Sequence, residues 1–484
     1  MKTPLSPKFP GSLSRQSPRI FWAGLCLLLF TYCGQAPTTR HDPLAKSSRA
    51  DKNGWIYVHL EGPPADIGYQ HGYLLAQEID TAIQVVKYSF LHGSTRDWAF
   101  YRNAAKDFLW DKLDREYKDE INGMVAGLKA KNVAYDSLDI TAYNACFELA
   151  WYYEPALQNA IKPGSADNKA PGNCSAFIAT GSYTKDGRIV MGHNAWFDYM
   201  IGQDWNVVFD IVPEKGNHIL MDCRPGFLHS GSDFVVTDNG MLITETTITG
   251  FKGFGTAGIP EFQRARKAAQ YSNDIDDVIK ILTTGNNGGY ANSWLIGDTK
   301  TNEVARLDLG LKHWNVLRSK DTVFVGSNFA SDPELLAEET TFDAKDPNSS
   351  PTARKKRLEQ LTLIDLKGKL DAETGKQILA DHFDASQNNK PANNRCVVCG
   401  HSDEDPTYSK EWSMPAFFPE GAVQGKVTTA SLAANMEFWA RMGHPCGQDF
   451  IGSTFYAAHP EFDWMRKYLG DIKAYPWTVF GAKK

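Results

Sequence analysis

Residues 172–196 read GNCSAFIATGSYTKDGRIVMGHNAW. Two largely apolar runs, CSAFIAT and RIVMGHN, flank the polar segment GSYTKDG, whose Asp186-Gly187 pair suits the tight turn of a β-hairpin. Cys174 therefore opens a predicted strand. It directly follows a Pro/Gly/Ser/Asn-rich stretch from Gln158 to Gly172 with no helix or strand period, which reads as an exposed loop. A cysteine at a strand start is usually a small buried hydrophobe. This junction offers a second reading. If the Asn173–Cys174 bond is cut, one residue carries both a thiol and a free α-amine whose ordinary pKa is near 8. Nucleophile and general base then sit on the same residue. The thiol can itself attack the Asn173 carbonyl and so release its own amine.

Outward from the hairpin the chain changes character. Upstream, GWIYVHLEG alternates like a strand, and the segments up to Tyr153 place apolar residues at helical spacing. Downstream, WNVVFDIV, NHILMD, FVVTDNGMLITET, NSWLIGDTKTNEVARLDL and KHWNVLRSKDTVFVGSN read as strands broken at Asn, Asp or Gly. Helical patterns at IPEFQRARKAAQYS, IDDVIKILTT, ARKKRLEQLTLI and AETGKQILADHF lie between and after them. Many hairpin-joined strands with grouped helices predict an α+β fold, two antiparallel sheets covered by helices.

The first residues stand apart. Lys2, Lys8, Arg15 and Arg19 precede an apolar run from Ile20 to Tyr32 that ends in small residues, the layout of an export signal cut after Ala36. The run is too short for a membrane span, which needs about 20 apolar residues. A lipoprotein anchor through Cys33 is disfavoured by the bulky Tyr32 before it. The expected location is therefore outside the cytosol: secreted, periplasmic or lysosomal, depending on the host. The expected divisions are a signal over 1–36, a helical N-terminal part over 37–157, a linker over 158–173 and a core over 174–484. Removing four basic and no acidic side chains takes the formal charge of the 484-residue chain from -6 to -10. A mildly acidic chain whose one basic cluster, ARKKR at Ala353–Arg357, reads as one turn of a helix face is not built for non-specific nucleic-acid binding.

In order along the chain, the motifs resemble those of a known family. NCSAF...DGRIVMGHNAWFDY is similar to the nucleophile hairpin of the phospholipase B-like proteins, which belong to the N-terminal nucleophile hydrolases. DNGMLITETT, ANSWLIGD and GKVTTASLA resemble further segments of the same proteins. GWIYVHLEGPPADIGYQHGYLLA, SPTARKKRLEQL, LADHFD and MGHPC resemble the related isopenicillin N acyltransferase family. The resemblance implies a four-layer αββα sandwich, autoproteolysis between Asn173 and Cys174, two tightly associated chains, and attack by Cys174 on an acyl amide or ester. His193 and Asn194 stand where related bile-salt and penicillin acylases carry Arg-Asn. His193 would tune or orient the thiol, while Asn194, Trp196, Thr246 and Thr247 would contact substrate. Asn292 matches the asparagine that the family places beside the tetrahedral intermediate, and Arg354 the arginine that supports the nucleophile. The register of Arg354 against Arg357 is open at this point.

Cys396-Val-Val-Cys399 is the second cysteine motif. With His382 and His401 it is a candidate zinc site, but a structural site needs four ligands at familiar spacing. In an exported chain a local Cys396–Cys399 disulfide is the expected state. Gly253–Gly258 matches GxGxxG, yet Pro260 and the lack of a following strand-end acid argue against dinucleotide binding. No GxSxG elbow, HExxH or P-loop occurs. The chemistry calls for no metal or organic cofactor. The expected function is an autoproteolytic amidase or lipase, with a small acyl amide or a lipid surface as partner. An acyltransferase of the isopenicillin N type and a non-catalytic lipid-binding protein on the same fold are the alternatives.

Overall fold

The computed structural model describes residues 41–94, 96–161, 174–231 and 234–483. The expected signal, Cys33, Asn173 and the linker beyond residue 161 lie outside the described residues. The linker's first residues, 158–161, continue a helix that runs Glu154–Ile161.

Strands β1 (Ser48–Lys52), β2 (Trp55–Gly62), β3 (Cys174–Thr180), β4 (Val190–Asp198), β5 (Val207–Pro213), β6 (Ile219–Cys223), β7 (Val235–Thr237) and β8 (Met241–Thr247) are followed by β9 (Asn292–Asp298), β10 (Glu303–Leu309), β11 (Trp314–Ser319), β12 (Thr322–Gly326), β13 (Glu420–Thr429), β14 (Glu437–Met442) and β15 (Thr478–Gly481). They form a nine-stranded sheet, β1-β2-β5-β6-β7-β8-β9-β10-β11, and a six-stranded one, β12-β3-β4-β13-β14-β15. Neighbours run antiparallel except β2 and β5.

Period-two alternation divides the inner strands between two buried faces, whereas the edge strands β1 and β11 are half-buried to exposed. Ala176, Ile178 and Met191 of the smaller sheet meet Val208, Leu220, Val236, Leu242 and Leu295 of the larger one in a single core between the sheets. Phe177, Ala179 and Val190 face the other way, against helices α6 (Ser350–Glu359) and α7 (Ala372–Leu379). The far face of the larger sheet carries α1 (Pro64–Leu74), α2 (Ala76–Gly93), α3 (Arg115–Ala130), α4 (Glu261–Tyr271) and α5 (Ile275–Thr283). The order helices, sheet, sheet, helices is the αββα sandwich that the motifs imply. Burial on both faces explains why the strands read as nearly unbroken apolar runs.

Two features position the site. First, α1 and α3 cross with their backbones almost touching. A Cβ on Gly72 would lie 2.1 Å from the Met124 carbonyl oxygen, and one on Gly123 would lie 2.2 Å from that of Ala65. Second, the run KHWNVLRSKDTVFVGSN, read as continuous strand, is split. It passes from β11 in the larger sheet to β12 in the smaller one, and Asp321 at the crossing accepts from Ser182 N at 2.6 Å and Ser182 Oγ at 2.7 Å. β12 then pairs with β3, Gly326 opposite Ala176. Residues just beyond Gly326 thereby reach the head of β3.

Candidate active site

Cys174 heads β3, buried, with its side chain on the alternation that points between the sheets. Its backbone is held at both ends. The N–H donates to Asn328 Oδ1 at 2.9 Å, and the carbonyl accepts from Arg354 Nη1. Arg354, fully buried in α6, also donates to Asn328 Oδ1 at 2.8 Å and to Ser175 Oγ at 3.2 Å, and its guanidinium lies 4.4 Å from the Trp196 ring centroid. Asn328 itself donates to the Thr247 carbonyl at 3.0 Å and to Thr247 Oγ1 at 3.1 Å, while Thr246 Oγ1 accepts from its N–H. Its φ of 70° is left-handed, a conformation that asparagine tolerates better than most residues. Burial pushes the Arg354 pKa down to about 10, which still leaves it charged at neutral pH.

On the thiol side, Cys174 Sγ, a ring nitrogen of His193 and a carboxylate oxygen of Glu245 lie within 4.8 Å of one another. Burial, and then the Glu245 carboxylate, push the thiol well above its ordinary range, against the pull of the Trp196 N–H, Lys426 and Arg354. The thiolate is thus not preformed. Burial, then the nearby Lys426, push His193 well below its usual value against the pull of the Glu245 backbone, so its ring is neutral. Lys426 itself pairs with Asp222 at 3.0 Å, both side chains fully buried.

The thiol opens on a cavity of about 380 Å³ whose walls include Trp151, Trp196, Tyr290, Trp412 and Phe418. Two carboxyls share it, Asp198 and Glu420, which face each other across β4 and β13. Burial raises Asp198 to about 6, and burial with Asp198 beside it raises Glu420 to about 8. At neutral pH the cavity is therefore more apolar than its residue types suggest. Asn292 begins β9 in register with Thr247, and both of its side-chain polar atoms are buried without partners. An unpartnered buried amide costs about 1–3 kcal/mol, the kind of expense retained where a donor is kept ready for something else.

The Phospholipase B family profile matches residues 80–320, a span that includes Cys174, His193 and Asn292. Human phospholipase B-like 1 is 27% identical over 270 residues, covering 48% of this chain and 47% of its own length. Over these residues the chain resembles the phospholipase B-like family. An uncharacterized protein of Archaeoglobus fulgidus is 22% identical over 394 residues, 73% of this chain and 63% of that one. The chain thus spans less than two thirds of either relative's length. Among solved structures, penicillin V acylase from Agrobacterium tumefaciens aligns with a TM-score of 0.30 at 9% identity, over 56% of this chain and 83% of that one.

Of the residues singled out in the sequence, the fold gathers Cys174, His193, Trp196, Thr246, Thr247 and Arg354 around one point, with Asn292 on the adjoining strand. Arg354 rather than Arg357 reaches Cys174; Arg357 forms a two-pronged pair with Asp381 at 2.8 and 2.7 Å. Asn194 is not at the cavity. Strand alternation turns it to the opposite face from His193, where its amide donates to the carbonyls of Leu379 and Val398. The Cys396–Cys399 disulfide does not form: both thiols are free. Cys396 Sγ points to the Asn348 carbonyl at 3.7 Å, and Cys399 joins a different cluster. Asn328, Lys426 and Glu420 were not singled out in the sequence. Lys426 lies within the GKVTTASLA segment and Asn328 closes the run KHWNVLRSKDTVFVGSN, but neither signal pointed to a role.

Proposed function

We propose that this chain is a self-processing cysteine hydrolase of the N-terminal nucleophile type, acting on acyl amide or ester bonds. The observation that carries the reading is the head of β3. The Cys174 backbone nitrogen is held by a side-chain oxygen of Asn328 while its thiol faces an aromatic cavity. In maturation the Cys174 sulfur attacks the Asn173 carbonyl, the Asn173–Cys174 C–N bond breaks, and water hydrolyses the thioester. The products are an Asn173 carboxylate and a Cys174 with free thiol and amine.

A thiol pushed up by burial needs a base at the moment of attack. The freed amine is the nearest one, and Asn328 Oδ1 already accepts from that nitrogen. In turnover the thiol proton passes to the amine and sulfur bonds to the acyl carbonyl carbon. The buried, unpartnered Asn292 amide is the proposed donor to the resulting oxyanion, a contact worth about 3–4 kcal/mol of barrier in comparable sites. The leaving amine or alcohol departs with the proton, and water, deprotonated by the same amine, hydrolyses the thioester. Neutral His193 and the charged Arg354 position the nucleophile. Trp196, Trp412 and Phe418 suit the apolar chain of a lipid ester or N-acyl amide.

Intact mass and N-terminal sequencing of the purified chain test this reading. The expected result is a fragment beginning at Cys174 that is absent in Cys174→Ala, together with hydrolysis of a chromogenic acyl ester or acyl amide by the cut protein only. A single uncut chain at both acidic and neutral pH would overturn it and leave the non-catalytic lipid-binding reading.

A further inference from the structure

A second constellation lies behind Trp196, outside the cavity. His382 follows α7, Cys399 and His401 sit in the loop before β13, and Cys446 follows β14. One ligand atom from each lies within 4.8 Å of all the others. We propose that these four residues bind a zinc ion in a closed, tetrahedral Cys2His2 site.

The distances suit the ion. With Zn–S near 2.3 Å and Zn–N near 2.0–2.1 Å, a tetrahedron places sulfur and nitrogen ligands roughly 3.6 Å apart. His401 Nε2 and Cys446 Sγ stand 3.7 Å apart. The surroundings are arranged as they are around bound metals. His382 Nδ1 is 2.7 Å from Asn393 Oδ1, which fixes the ring and leaves Nε2 to face Cys446 within the cluster. Cys446 Sγ accepts from the Gln448 N–H at 3.4 Å. Gly400, at φ 71°, turns the chain between Cys399 and His401 so that both side chains face one point. His444 stacks on His401 with centroids 4.2 Å apart, but its Nε2 is engaged with Tyr199 Oη at 3.1 Å. Two thiolates, two neutral imidazoles and Zn²⁺ sum to zero charge, which suits a largely buried site.

The same sulfurs could pair as a Cys399–Cys446 disulfide. That bond would leave the inward nitrogen of His382 without a partner and give no reason for two imidazoles to converge there. The zinc reading accounts for all four groups. It also gives the site a structural effect. A Cβ on Gly400 would lie 2.3 Å from the Trp196 ring, so the metal-held loop braces the back of a residue that lines the cavity.

The test uses the full-length chain purified without a polyhistidine tag. Elemental analysis after gel filtration is expected to find about one zinc per chain, falling to near zero in Cys446→Ser and His382→Gln. Cobalt(II) added to the chelator-stripped wild type is expected to give the intense visible bands of a tetrahedral ion and thiolate-to-cobalt charge transfer. The cobalt experiment decides the matter even where a variant fails to fold. Three results would overturn the proposal: an octahedral-type cobalt spectrum without charge transfer, metal content unchanged in folded variants, or a Cys399–Cys446 disulfide found by peptide mapping of freshly purified protein.

Discussion

Replacing Asn328 by aspartate changes one atom type beside the Cys174 nitrogen and nothing in shape. Asn328 Oδ1 lies 2.9 Å from that nitrogen. A carboxylate there attracts an α-ammonium with about 6 kcal/mol at an effective dielectric constant of about 20. Arg354 Nη2, 2.8 Å from the same oxygen, already carries a positive charge and absorbs roughly half of this. The remaining 3 kcal/mol or so corresponds to about two pKa units, within the range seen for opposite charges in contact. An amine near its ordinary value of about 8 would move to about 10, and its neutral fraction at pH 7 would fall about a hundredfold. The assay is kcat/KM for a chromogenic acyl ester against pH, on cleaved protein, over the range in which circular dichroism shows both forms folded. N328D should lose about a hundredfold at neutral pH and recover as pH rises, its ascending limb displaced to higher pH. The second carboxylate oxygen loses the donation to the Thr247 carbonyl, which costs stability on the order of 1–3 kcal/mol. That loss lowers Tm without moving the limb. A uniform drop at every pH, or no drop, would refute the assignment of the amine as base with Asn328 as its partner.

Three other perturbations have definite signs. Gly72→Ala places a methyl against the Met124 carbonyl and should cost about 1–3 kcal/mol or more in chemical denaturation, whereas Gly470→Ala, with nothing within 4 Å, should be near neutral; equal effects would refute the close helix crossing. Glu420 titrates near 8 in the folded state against an ordinary value of 4.5, so the folded protein binds the proton more tightly and stability falls as pH rises through that window. E420Q should match the wild type near pH 4 and exceed it near pH 8 by on the order of 3–5 kcal/mol, read as a widening Tm gap. Lys426→Met strands the buried Asp222 carboxylate and should destabilise by about 3–5 kcal/mol, most of it recovered in K426M/D222L; a neutral single variant would show that the pair bears no load.

The hairpin and Cys174 were legible because their signals are local: strand period, an Asp-Gly turn and a loop before the cysteine. Arg354 followed from a motif in the right order. Asn194 shows what the same local signal contained and was not used for. Alternation alone forbids His193 and Asn194 from facing one thiol, so Asn194 had to turn toward α7. Asn328 was illegible for a different reason. It lies 154 positions from its partner nitrogen and arrives only because the chain changes sheets at Lys320 and Asp321, which no local periodicity records. Cys446 is the same case. It stands 45 positions from His401, so the candidate set read from the CxxC motif with His382 and His401 included Cys396, which lies outside the cluster, and left Cys446 out.

The topology also decides what a cut before Cys174 could do. β2 belongs to the N-terminal chain of a cleaved protein, yet it pairs in parallel with β5 of the C-terminal chain, from Ile56 opposite Val207 to Gly62 opposite Pro213. β1 hangs on β2, and α1, α2 and α3 cover the outer face of the larger sheet. Releasing the N-terminal chain would expose that face and break a buried ladder whose polar groups have no other partners. Val58, Leu60, Ile79, Ile83 and Met124 are wholly buried, and re-exposing each costs about 1.5–3 kcal/mol. Such a cut frees an amine without freeing a chain. The groups that hold the Cys174 backbone, Asn328 at its nitrogen and Arg354 at its carbonyl, lie C-terminal to the cut and meet Cys174 only once β12 and α6 are in place. On the proposed reading, a cut before Cys174 would have to follow folding, because only the folded chain brings Asn328 to the Cys174 nitrogen.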